Sequence, residues 1–174
     1  MDLATIYVAV WGRARRVLAE ADARAVPEIA VAYGQKNGRT DGHFYPRGVD
    51  GRGAPIIRIF RLRDLPKPGL PRAQPDPTHP AALTELCFLA HELGHVLSWR
   101  DGAVDWEALD IATGVMAQGN EAQRALVLEE EVRAWRLGRE ELSALGFDDW
   151  STFGRQRAAK LRGYAQGLRL SMPD

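Results

Sequence analysis

Apolar positions along the chain change period several times, and each change marks an element. From Leu3 to Ala25 they recur at helical spacing, with Ile6, Val10, Ala14, Val17 and Leu18 on one stripe, which predicts a first helix ending before Pro27. Three short extended stretches follow: Ile29–Tyr33, His43–Tyr45 and Pro55–Leu62, separated by Gly34–Gly42 and Gly48–Gly53. Asn37-Gly38 and Asp41-Gly42 supply turn chemistry in the first gap. In the third stretch Ile57, Ile59 and Arg61 alternate with Ile56, Arg58 and Phe60, leaving the buried face open. Connections this short predict a small antiparallel three-stranded meander.

Pro66, Pro68, Pro71, Pro75, Pro77 and Pro80 then exclude helix and central strand and predict an extended surface strap. Helical period returns over Ala81–Trp99, where Leu86, Leu89, Leu93, Val96 and Leu97 form a core-facing side, and Arg100-Asp101-Gly102 closes it. Residues 103–119 read as irregular, with one short helix around Trp106–Ala112. Asn120 and Gln123 form a capping box that opens a helix to about Ala144, and a last helix runs from Ser151 to Leu168. The expected class is α+β: an N-terminal helix, the meander, and three helices after the strap, in one domain over 1–174.

The chemistry sits on the Ala81–Trp99 helix as His91-Glu92-Leu93-Gly94-His95. At about 100° per residue, His91 and His95 stand one turn apart on one face, so both imidazoles can reach one ion. Glu92 sits about a quarter-turn away, able to approach a metal-activated water as general base without ligating. Gly94 lies beside the histidines, where a missing side chain admits a neighbouring strand or a substrate.

A catalytic zinc takes three protein ligands and keeps one position open. No histidine follows His95, and His43 and His79 precede the motif, so a downstream carboxylate is the better candidate. Asp101 is one, although Asp101-Gly102 is ordinary turn chemistry. Among Glu129-Glu130-Glu131, Glu131 lies at the centre of a stripe of Val127, Leu128, Ala134, Trp135, Gly138 and Leu142. A carboxylate there needs a partner, either zinc or Arg124. Glu129 falls on the solvated side and Glu130 at the flank.

His91-Glu92-Leu93-Gly94-His95 followed by Glu131-Val132-Arg133-Ala134-Trp135 resembles the ImmA/IrrE-type group of small gluzincin-like metallopeptidases. In that group an E-x-x-A helix carries the third ligand; Trp135 stands where the family usually has Asn. The resemblance implies zinc on His91, His95 and Glu131, Glu92 as base, and a fold of helix, meander, metal helix and glutamate helix. Members resemble zinc peptidases that cut regulatory DNA-binding proteins.

The remaining features narrow this reading. Lys+Arg and Asp+Glu balance at 23 each, so no global field recruits nucleic acid or a membrane surface, and Arg13–Arg16 reads as a solvated helix side. The start carries no basic n-region and no apolar core long enough for a signal or a span. The single cysteine, Cys87, excludes an internal disulfide framework and suits a reducing cytoplasm, with small-core filling as its expected role. The expected activity is zinc-dependent endopeptidase action on a peptide or protein. His43 and Tyr45 are the candidates for substrate or oxyanion contact. A metal-binding interaction module without turnover and a non-peptidase zinc hydrolase are the rival classes.

Overall fold

The computed structural model describes residues 1–33, 40–48, 51, 53–63 and 70–171. The turn expected at Asn37-Gly38, half of the Gly48–Gly53 turn and the prolines at 66 and 68 lie outside the described residues.

Helix α1 (Leu3–Ala21) starts at Asp2, whose carboxylate accepts from the Thr5 N–H, and buries the expected stripe together with Tyr7 and Trp11. It stops short of Ala25 because Asp22 turns extended and its carboxylate accepts from the Arg24 N–H. Strands β1 (Val26–Tyr33), β2 (Thr40–Tyr45), β3 (Ile56–Arg63) and the two-residue β4 (Arg72–Ala73) form one sheet in the order β2-β3-β1-β4.

That order corrects the expected meander. β3 runs parallel to β1 and antiparallel to β2, so β1 and β2 never pair, and β4 adds a strand to the far side of β1. The physical reason is burial. Ile29 pairs with Ile59 in the two strands richest in inward apolar residues, so these take the centre, whereas β2, with Thr40, Asp41, Gly42 and His43, takes an edge. The described part of the proline strap runs extended at the sheet margin around β4, where the Pro71 carbonyl accepts from the Val31 N–H, and turns over residues 77–81 before the next helix.

The face left open in β3 is the one carrying Ile57, Ile59 and Arg61. Arg61 is buried because it forks onto Glu85 of the next helix, with Nε 2.5 Å from Oε1 and Nη2 3.0 Å from Oε2. Tyr7 donates to the same carboxylate at 3.0 Å, so α1, β3 and α2 meet on one buried ion pair whose lone pairs are answered.

Helix α2 (Ala82–Arg100) packs on the inner sheet face and is buried over its whole middle. Gly102, at φ +63°, ends the turn after it. Residues expected to be largely irregular contain α3 (Trp106–Val115), capped by Asp105, then a single 3-10 turn. Helix α4 (Glu121–Ala144) begins at the Asn120/Gln123 capping box as expected, and α5 (Trp150–Leu168) starts at Asp149. No helix of the described residues is long and apolar enough to cross a membrane.

Candidate metal centre

Because α2 is covered by the sheet, α4 and α5, its polar face is as buried as its apolar one. His91, Glu92 and His95 are all below a tenth exposed. The two imidazoles lie edge to face with centroids 4.6 Å apart, the i,i+4 relation read from the spacing. Among the described residues, His91, Glu92 and His95 form the one group of three whose ligand atoms all lie within 4.8 Å of one another.

What brings α4 to this face is the lack of side chains. A Cβ on Gly94 would sit 2.0 Å from the Ala134 carbonyl oxygen, and one on Gly138 would sit 2.4 Å from that of Ala90. The helices therefore cross backbone against backbone at Ala90 and Gly94 on α2 and Ala134 and Gly138 on α4. The neighbour that Gly94 admits is thus a helix, where the sequence suggested a strand or substrate. It also explains the alanine of Glu131-x-x-Ala134, since that residue's carbonyl is the one in contact.

The crossing sets Glu131 against the histidines. Its Oε2 lies 3.2 Å from His91 Nε2 and its Oε1 3.6 Å from His95 Nε2. The opposite nitrogens are taken by other carboxylates: Glu92 Oε1 is 3.0 Å from His91 Nδ1, and Glu130 Oε1 is 3.0 Å from His95 Nδ1. Both Nε2 atoms thus face Glu131, while Glu92 sits behind His91. On that ground Glu131 suits a third ligand better than Glu92, although Glu92 belongs to the tighter cluster.

Two atoms test whether an ion fits. His91 Nε2 and Glu131 Oε2 are buried without a hydrogen-bond partner, although they face one another. Orphaned buried polar atoms are costly, and one cation between them would satisfy both. Charge leads to the same conclusion. Glu92, Glu130 and Glu131 surround two imidazoles, and among the described residues the permanent cation ion-paired with any of the three is Arg133, donating to Glu130 at 2.8 Å.

Without a metal the imidazoles carry that burden. Burial alone would lower His95, but Glu130 and Glu131 hold it up to about 10; His91 is likewise raised, burial being outweighed by Glu92 and Glu131. Burial would raise Glu131 and Glu92, yet the imidazoles bring both below the usual carboxylate range. An incoming cation must displace imidazole protons, because a ligating imidazole is neutral.

Three contributors escaped the sequence reading. Glu130 is almost fully buried, orients His95 and accepts from Ser98 Oγ at 2.8 Å; its i,i+3 arginine was the available signal. Trp135 stacks on His91 with centroids 4.4 Å apart and planes 18° from parallel, filling the position where the resembling family has Asn. Tyr164 of α5 lines the cavity beside the cluster, and burial with the neighbouring Glu131 and Glu92 charges raises its phenol far above its ordinary value.

Other candidates lie elsewhere. Asp101 is exposed and pairs with Arg100, and Arg124 donates to the Gly119 carbonyl instead of to Glu131. His79 lies 3.8 Å from Glu85, and Cys87 is buried core filler whose thiol is pushed up to about 12 by burial.

The cluster opens into a cavity of about 600 Å³ between β2, α3 and α5. Strand alternation turns Gly42 and Phe44 toward α2. A Cβ on Gly42 would meet Glu92 Cγ and Oε1 at 2.8 Å, and Phe44 packs on Trp99 and Trp106. His43 and Tyr45 line the same cavity, but alternation sends their side chains to the opposite face of β2, where the rings lie 4.3 Å apart. No protein-family model matches the chain, and no curated protein or solved structure proved similar to it.

Proposed function

We propose that the chain is a zinc-dependent endopeptidase of the ImmA/IrrE kind, with His91, His95 and Glu131 as metal ligands and Glu92 as general base. The observation that carries this reading is the convergence of both Nε2 atoms on Glu131, two of the facing atoms being otherwise unpartnered. A zinc ion held there would act as a Lewis acid, polarising a carbonyl and acidifying a coordinated water.

The protein's own groups do the rest. Glu92, ionised and pressed between His91 and the backbone of Gly42, takes a proton from the attacking water and passes it to the leaving amine. Glu130 and Trp135 hold the two imidazole rings in plane and orientation. Strand β2 lies at the sheet edge along the cavity, so an extended peptide or protein segment can pair with its backbone. The balanced charge favours neither nucleic acid nor membrane as partner, and the single cysteine, buried and free, suits the cytoplasm.

Metal analysis of purified protein tests the ligand set. About one zinc per chain is expected in the wild type and in Asp101→Asn, with a large loss in Glu131→Gln. Retention by Glu131→Gln together with loss in Asp101→Asn would overturn the assignment. Digestion of casein by the zinc-loaded protein, abolished by chelator and restored by zinc, separates a peptidase from a binding module.

A second expectation concerns Gly42. In Gly42→Ala the new methyl overlaps the movable end of Glu92, so the fold survives while the base is displaced. The expected result is a casein-cleavage rate lower by about 10²-fold, with zinc content and melting temperature unchanged. An unchanged rate would mean that Glu92 has room to spare, and would remove Gly42 from the account.

A further inference from the structure

Hydrolysis of an amide passes through a tetrahedral species whose oxygen carries negative charge, and that oxygen needs a donor besides any metal. The sequence offers His43 and Tyr45, which line the cavity from the β2 edge, on the strand face opposite Gly42, with His43 exposed. A donor packed against the core and next to the ligand carboxylate stands on another wall of the cavity.

Helix α5 supplies that wall. Leu161, Ala165 and Leu168 bury its inner stripe, and Lys160 and Tyr164, one turn apart, project into the cavity that holds His91, Glu92, His95 and Glu131. Lys160 is engaged, paired with Asp41 of β2. Tyr164 borders the ligand set itself: its half-buried ring packs against the core, and its hydroxyl adjoins Glu131 where the helix lines the cavity. A phenol on a packed helix, beside a ligand carboxylate and open to the cavity, has the position of a preorganised donor.

We infer that Tyr164 is the catalytic residue that donates its phenolic hydrogen to the developing oxyanion. The inference rests on the peptidase reading above. The bookkeeping closes without a redox partner: water oxygen bonds to the carbonyl carbon, its proton goes to Glu92, the C–N bond breaks, and Glu92 returns the proton to the amine nitrogen. Tyr164 keeps its own proton throughout, strengthening its hydrogen bond as the carbonyl oxygen gains charge and relaxing it when the carboxyl product forms.

The test compares zinc-loaded wild type with Tyr164→Phe, which keeps the ring and deletes the donor. Four readouts are taken: zinc content, melting temperature, casein cleavage, and affinity for a phosphoramidate dipeptide whose tetrahedral phosphoryl oxygen imitates the oxyanion. Zinc content and melting should be unchanged, kcat should fall about 10²–10³-fold with KM nearly constant, and phosphoramidate affinity should fall at least tenfold. Equal kcat in the two proteins overturns the inference and leaves the peptidase reading standing. Loss of zinc from Tyr164→Phe also overturns it, making Tyr164 a support for Glu131. A zinc-loaded wild type that neither cleaves casein nor binds the phosphoramidate rejects the peptidase reading, and the inference falls with it.

Discussion

Replacing Glu92 by Gln is expected to leave a folded, zinc-bearing protein that has lost turnover by roughly 10²–10⁴-fold, the range typical for removal of a general base. The amide occupies the same space beside Gly42 and can still meet His91 Nδ1, so neither packing nor the facing Nε2 atoms should change. What disappears is a carboxylate held below its usual pKa, and therefore ionised near neutral pH, by the adjoining imidazoles against the opposing pull of burial. Casein cleavage, zinc content and melting temperature are read together. Activity near wild type would make Glu92 structural, whereas loss of zinc with the fold intact would make it a ligand and reopen the choice between Glu92 and Glu131.

The second large effect is expected at Gly94. A methyl there would lie 2.0 Å from the Ala134 carbonyl oxygen, a backbone atom of a 24-residue helix that cannot step aside alone. Overpacking a core usually costs 1–3 kcal/mol, and a clash of backbone on both sides belongs at or above the top of that range, about 3 kcal/mol. For a chain of this size that corresponds to a fall in melting temperature of about 6–12 °C. Zinc retention should fall with it, since separating α2 from α4 moves Glu131 off the imidazoles. Gly154 of α5 provides the contrast: a Cβ there meets nothing within 4 Å, so Gly154→Ala should be neutral or stabilising by up to about 1 kcal/mol. Thermal melts of both variants decide the matter. Equal melting temperatures would mean that the helix crossing relaxes at no cost.

The contrast between these glycines illustrates what could be read from the chain before its fold was known. His91, Glu92 and His95 were legible because their relation is local, set by one helix. Glu131 was legible because a lone carboxylate in an apolar stripe is an anomaly a helical wheel exposes. The capping box at Asn120 was legible for the same local reason. The sheet order was not, because which strand lies beside β1 depends on competition for the centre, and Ile57 and Ile59 won that place for β3 over the more polar β2. Glu130 escaped because a flank position on α4 becomes buried only once the crossing with α2 is known. Tyr164 escaped because a tyrosine on the inner side of an amphipathic helix looks like any other core residue until the cavity it borders is seen.

The glycine-lined crossing carries one more consequence, for anyone who would redesign this protein. Ala90 and Gly94 are spaced one turn apart, as are Ala134 and Gly138, and each pair meets the other like the wards of a key. Sliding α4 by a turn would put Val127 or Trp135 in Glu131's place against the two Nε2 atoms, and a one-residue shift would swing the carboxylate by about 100°. The surrounding leucines and valines could be exchanged for others of like volume, as cores generally permit. These four small residues could not, because they choose which side chain of α4 meets the histidines. A repacked version of the molecule can have a new interior, but it has to keep the old alignment.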